Sequence, residues 1–208
     1  MRASQIKIYS KQRGAALLMA MLFLVIITLI GVTSMVGTAL EERMARNSRE
    51  TNIAFQAAEA ALRDAETDLN NTGAVPRVPA ITTADFTMAA GTCSNTGECK
   101  PGTAACPGGP PQVWDASCTA GLPSQLEDTT KSVRYGTYTN SPFFPISAQN
   151  TEGLAGTVTL PSMGVSKQPR YVVEYLGGVT PNETYRITAI GYGPTPTTKV
   201  ILQEEVAR

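Results

Sequence analysis

The sequence predicts an α+β fold. One long N-terminal helix projects by its apolar first half and packs its amphipathic second half on a C-terminal antiparallel β-sheet. A disulfide-stapled loop region lies between helix and sheet. Three observations predict this. No proline occurs before Pro76, three strand-like runs close the chain, and all four cysteines fall between Cys93 and Cys118.

The N-terminal 14 residues carry Arg2, Lys7, Lys11 and Arg13 and no acid. The next 26 residues, Ala15 to Leu40, hold no charge and no proline. As a helix this run is about 39 Å long, more than the roughly 30 Å hydrocarbon core of a bilayer. The basic flank predicts that the N-terminus stays in the cytoplasm and that the remainder is exported. Without residues 1–14 the chain has 13 basic and 17 acidic residues, a net charge of −4 that the zero of the whole chain conceals.

The helical pattern continues past the apolar run. Residues 41–70 are rich in alanine, glutamate, arginine and leucine, which favour helix. Phe55, Ala58, Leu62, Ala65 and Leu69 follow the 3,4 spacing of one helix face, and Glu59 and Arg63 form an i,i+4 pair outside it. Asn70-Asn71-Thr72-Gly73 is a stop signal. One helix is therefore expected from Ala15 to Leu69, ~80 Å long.

The middle of the chain is rich in glycine and proline. It is expected to hold loops, one or two short strands near Lys131–Thr139, and a small core drawn from Trp114, Tyr135, Tyr138, Phe143 and Phe144. Ser141 to Pro145 reads as a loop with a packed aromatic pair. Cys93, Cys99, Cys106 and Cys118 are even in number and lie on the exported side, which predicts two disulfides. Of the three connectivities, nearest-neighbour pairing (Cys93–Cys99 and Cys106–Cys118) is preferred. The spacings match no zinc motif, and there is no histidine to complete a mixed site. Downstream, Arg170–Leu176, Thr184–Tyr192 and Lys199–Val206 are rich in valine, isoleucine, tyrosine and threonine. Gly177-Gly178 and Pro194-Thr195-Pro196 read as the turns of an antiparallel meander. The expected organisation is a leader at 1–14, an apolar span at 15–40, its amphipathic continuation at 41–70, and an exported globular domain at 71–208.

Several function classes are excluded or disfavoured. Without histidine there is no Ser-His-Asp triad and no histidine base. No GxSxG occurs, and the only SxxK, Ser4 to Lys7, lies in the basic leader. Gly108-Gly109 sits among prolines and makes no phosphate loop, and Glu127-Asp128 reads as a turn cap rather than a calcium site. Neutral charge disfavours nucleic-acid binding. No cofactor and no catalysis are expected. Gly37-Thr38-Ala39 would suit a secretory cleavage site, but the apolar run is much longer than a secretory h-region.

Gln12-Arg13-Gly14 followed by AALLMAMLFLVIITLIG resembles the class III signal of type IV prepilins. Further blocks (EERMARNSRETNIAFQAAEAALRDAE, RYVVEYL, YRITAIGYG and KVILQ) resemble the PilX family of minor pilins over roughly residues 12–69 and 170–206. The resemblance implies a pilin-like fold. It implies cleavage between Gly14 and Ala15 by a prepilin peptidase, with methylation of the Ala15 nitrogen. It further implies a subunit that joins other minor pilins, the major pilin and a PilY-type tip protein at an inner-membrane assembly platform. Such a subunit initiates the pilus and so supports twitching motility and adhesion. Two alternatives stay open: a minor pseudopilin of a type II secretion system, and a single-pass anchored periplasmic binding domain.

The chain departs from the wider pilin pattern at two places. Most major pilins carry glutamate at the fifth mature residue, where this chain has Met19. Met19 is read either as tolerance in a low-copy subunit or, as in tip subunits of type II secretion pseudopili that also lack that glutamate, as the mark of a special position at or near the tip. Pilins often have a proline in the apolar helix, and here there is none. Gly31 and Gly37 are the candidates for loosening it, or for close helix packing.

Overall fold

A computed structural model describes residues 15–87, 92–100, 126–150, 152, 159–160, 163–179 and 181–208. The leader, Cys106, Trp114 and Cys118 lie outside the described residues. Within the described residues helix α1 runs from Ala15 to Leu69, unbroken as the missing prolines predict and ending where the asparagine stop predicts. Its end is capped by Asn71 in the left-handed region, with the Asn70 amide donating to the Glu66 carbonyl and the Thr72 amide to that of Thr67. The chain divides into two compact units, Met1–Asn47 and Ser48–Arg208.

In the first unit the segment Ala15–Ser34 is apolar enough and long enough to cross a membrane. Every side chain in it is exposed within the chain. The polar side chains between Ala15 and Leu40 all turn back on their own helix. Thr28 donates to the Val25 carbonyl, Thr33 to those of Leu29 and Ile30, Ser34 to Ile30 and Thr38 to Ser34. A lipid or helical neighbour therefore meets no unsatisfied hydroxyl.

The second unit is a sheet domain built on the remainder of α1. Strands β3 (Arg170–Val179), β4 (Asn182–Tyr192) and β5 (Lys199–Ala207) form the antiparallel meander. Two short strands share the other edge of β3: β1 (Glu98–Cys99) pairs parallel to it, and β2 (Val133–Arg134) pairs antiparallel to it. The parallel β1 contact is not foreseen by the sequence. It brings the cysteine loop onto the sheet, with Cys99 opposite Glu174.

The expected turn at Gly177-Gly178 falls inside β3 instead. Both glycines have positive φ, the register shifts between Tyr175 and Gly177, and Gly178 lies against Asn182 so closely that a Cβ would sit 2.1 Å from its carbonyl oxygen. This is a bulge that glycine alone accommodates, so the strand passes through before the chain reverses. The aromatic loop also differs in detail. Phe143 and Phe144 do not stack on each other: Phe144 packs on Tyr135 with ring centroids 5.3 Å apart, and Phe143 lies under the Arg134 guanidinium.

The helix packs on the sheet through alanine. Ala54, Ala57, Ala58, Ala61, Leu62, Ala65 and Leu69 are buried against Tyr171, Val173, Tyr185, Ile187 and Ala189 or beside them. Phe55, assigned to this face from spacing, is 46% exposed. The reason is the distance of approach. A Cβ on Gly191 would stand 2.2 Å from the Ala54 carbonyl oxygen and 2.3 Å from the Ala58 nitrogen, so α1 lies on the bare backbone of β4. Only small residues fit there, and phenylalanine turns out.

The opposite face of the sheet carries a second cluster: Cys93, Cys99, Leu126, Val172, Ile190 and Tyr192. Glu174 is fully buried on this face, and among the described residues neither of its oxygens has a hydrogen-bond partner. Burial pushes its carboxyl up to about 8, against the pull of its cross-strand neighbour Arg186. The folded state thus holds this proton better than the unfolded chain, so Glu174 adds stability below pH about 4.5 that is lost as pH rises through about 8. Asp64 and Glu204, raised mainly by burial, act with the same sign. The melting temperature is expected to fall as pH rises from 5 to 9, and Glu174→Gln to flatten that slope. An unchanged slope in the variant contradicts this assignment.

Candidate assembly site

Ala15, the residue that the prepilin resemblance makes the mature N-terminus, lies in α1 as the first described residue, and Gly14 lies outside the described residues. Met19 is one turn further on and 61% exposed among the described residues, available to a neighbour. Gly31 and Gly37 both lie in α1, and a Cβ added at either meets nothing within 4 Å. The described residues offer no close packing at these glycines, which leaves both open to other subunits or lipid. Cys93 and Cys99 form a disulfide, as nearest-neighbour pairing predicts.

That disulfide closes a short loop whose polar groups converge on one buried arginine. Arg77, just beyond the helix, donates through Nε to Asp68 at 3.1 Å and through a terminal nitrogen to the same carboxylate at 2.5 Å. Its other terminal nitrogen reaches the Thr96 carbonyl at 2.8 Å and the Glu98 carboxylate. Ser94 and Thr96 donate to the second oxygen of Glu98. The Tyr171 hydroxyl of β3 donates to Asp68 at 2.9 Å, and the guanidinium lies 4.2 Å from the Tyr138 ring centroid. Helix, following loop, disulfide loop and sheet are thus tied at one point. Burial alone would lower the Arg77 pKa, but the Asp68 bond and the charges of Asp68 and Glu98 outweigh it, and the net shift is upward. Burial and Asp68 hold the Tyr171 phenol well above its ordinary range, so it remains a donor.

One helical turn earlier, Asp64 clamps a different loop. It accepts from the Gly136 amide at 2.9 Å, from the Thr139 hydroxyl, and from the Ser141 hydroxyl at 3.2 Å. Sequence reasoning missed both aspartates. The signal was present: Asp64 and Asp68 stand three residues after Ala61 and Ala65, at positions of the buried face where solvated charge is out of place. Among the described residues, no group of three or more His, Cys, Asp or Glu side chains is placed to hold a metal.

A helical span apolar enough to cross a membrane, an amphipathic helix seated on an antiparallel meander, and a cysteine-closed loop fixed to the sheet edge define a pilin-type subunit. Family models identify which kind. The PilX N-terminal model matches residues 13–63, and the model described as type IV pilus assembly protein PilX C-term matches residues 89–208. The chain belongs to the PilX family and is a minor pilin of type IV pilus assembly, a structural subunit rather than a catalyst. The C-terminal match starts well before the motif blocks at Arg170 and takes in the cysteine region, which those blocks leave out. No curated protein and no solved structure matches the chain significantly.

Proposed function

We propose that this minor pilin joins the complex that initiates the pilus and sits at or near its tip. The leader is removed between Gly14 and Ala15 by prepilin peptidase, and the Ala15 nitrogen is methylated. Before assembly the chain spans the inner membrane once, with its N-terminus cytoplasmic and its sheet domain periplasmic. Other minor pilins, the major pilin, a PilY-type tip protein and the inner-membrane platform are its partners, and twitching motility and adhesion are its outcomes. The observation that carries this reading is family membership together with Met19. An exposed thioether stands where most pilins hold a carboxylate for the preceding subunit's N-terminus. A subunit with no subunit ahead of it has no use for that carboxylate.

Deletion of the gene is the first test. Surface pili are expected to fall at unchanged major-pilin levels and to return when the full chain is supplied in trans. Met19→Glu is more specific. A carboxylate without a partner in apolar surroundings costs about 2.5–3.5 kcal/mol, which is at least ten-fold in an assembly equilibrium. Pilus number is expected to drop accordingly, with the remaining label at filament ends. Unchanged numbers with label scattered along filaments would contradict a tip role.

Gly31 and Gly37 test the loosening of the helix. Each glycine weakens a helix by about 1 kcal/mol relative to alanine, and alanine is sterically free at both positions within this chain. The double alanine variant is expected to accumulate normally and to assemble less. Full assembly would remove the flexibility role.

A further inference from the structure

On the sheet face opposite α1, a cleft of about 610 Å³ opens between β2, the end of β4 and the Glu127–Thr129 turn. Three cations line it: Arg134, Lys167 and Arg170. Among the described residues none of them forms an ion pair. Arg170 is only 6% exposed, and its hydrogen bonds go to neutral oxygens: the Ser132 hydroxyl at 2.7 Å and the Thr129 and Ser132 carbonyls at 2.8 Å. Arg134 lies over the Phe143 ring at 4.6 Å, and among the described residues its buried Nε has no partner. The Lys167 ammonium stands 5.5 Å from the Tyr192 ring centroid.

Two carboxylates, Glu127 and Glu152, also line the cleft, and Asp128 lies beside it. Glu127 pairs with Lys199, Glu152 accepts the Gln168 amide at 2.9 Å, and Asp128 accepts the amide and hydroxyl of Thr130 at 2.8 Å. Elsewhere in the domain buried arginines meet carboxylates: Arg77 takes two, and Arg186 takes Glu205. Glu152 and Asp128 act on Arg170 through space without a salt bridge, so the cleft keeps an excess of partly desolvated positive charge, three cations against two lining carboxylates, where an incoming carboxylate gains more than it would in water.

We propose that this cleft receives an acidic peptide segment of another protein, whose carboxylates meet Arg134, Lys167 and Arg170. Its volume lies within the range of ligand pockets and far exceeds an inorganic anion. An acidic glycan is the other polyanion of that size, but it would need aromatic faces to stack on. Tyr192 is 2% exposed with Lys167 over its ring, and the Tyr138 ring is faced by Arg77. The inference goes beyond pilus initiation and does not rest on it.

The test uses the purified full chain in detergent and a fluorescein-labelled tetraglutamate peptide. Saturable binding is expected, weakened at least ten-fold in the Arg134→Gln, Lys167→Gln double variant at unchanged melting temperature. A labelled tetralysine peptide is expected not to bind. If Arg134→Gln lowers the melting temperature, Lys167→Gln alone decides, with a loss of several-fold expected. No binding, or equal affinity in the variants, overturns the proposal. So does tighter binding of tetragalacturonate, or displacement of the peptide by an equal concentration of inorganic phosphate. Pilus counts play no part in this readout, so its failure and a failure of the initiation role are separable.

Discussion

Arg77→Met is expected to cost the sheet domain about 3–5 kcal/mol, because it strands two buried carboxylates at once. Asp68 and Glu98 are both buried, and each receives Arg77. Methionine fills much of the volume but offers no donor. A domain of this size loses roughly 2–4 °C of melting temperature per kcal/mol, so a fall of about 6–20 °C is expected by circular dichroism in detergent. Total stability is typically about 5–15 kcal/mol, so such a loss also lowers the amount of protein in the membrane. Arg77→Lys keeps the charge but loses the planar fork that serves Asp68 through two nitrogens and Glu98 through a third. It should fall between wild type and Arg77→Met. A shift of under about 1 kcal/mol in the methionine variant, within the range of a surface pair, would show that the hub is not what ties helix, loop and sheet together.

Gly191→Ala is expected to be at least as damaging as ordinary overpacking, which costs about 1–3 kcal/mol. The added methyl would stand 2.2 Å from the Ala54 carbonyl oxygen, 2.3 Å from the Ala58 nitrogen and 2.9 Å from the Ala58 Cα. All three are backbone atoms of α1, so no side-chain rotation relieves the clash and the helix must lift from β4. Shortening the helix side does not help: Ala58→Gly should fail to rescue Gly191→Ala. The comparison with Gly31→Ala is direct, since that methyl meets nothing within the chain. Equal melting temperatures for Gly191→Ala and wild type would mean that helix and sheet do not approach as described.

These two sites also mark where the sequence stops being informative. The length of α1 and its C-terminal end could be read because they depend on local rules: no proline between Ala15 and Leu69, and an asparagine able to take the left-handed conformation at the end. The meander and the Cys93–Cys99 bridge followed from composition and short loop length in the same way. Phe55 was misplaced because spacing identifies a face but not how close the neighbour comes. The backbone approach at Gly191 selects alanine over phenylalanine, and that depends on a residue 136 positions after Phe55. Gly177-Gly178 looked like a turn because positive φ serves a bulge as readily as a reversal. Asp64 and Asp68 were passed over because a search for apolar periodicity treats charge as outside. Their partners, Gly136, Thr139 and Ser141 for one and Arg77 and Tyr171 for the other, come from three separate stretches of chain.

The processing of the N-terminus tests the central claim most directly, because every step from membrane to filament depends on it. The measurement is intact mass with N-terminal sequencing of the full-length gene product purified from membranes. N-methylalanine at position 15, with residues 1–14 absent, is the predicted result. A retained Met1, or a start near Leu40 after secretory cleavage, would contradict it.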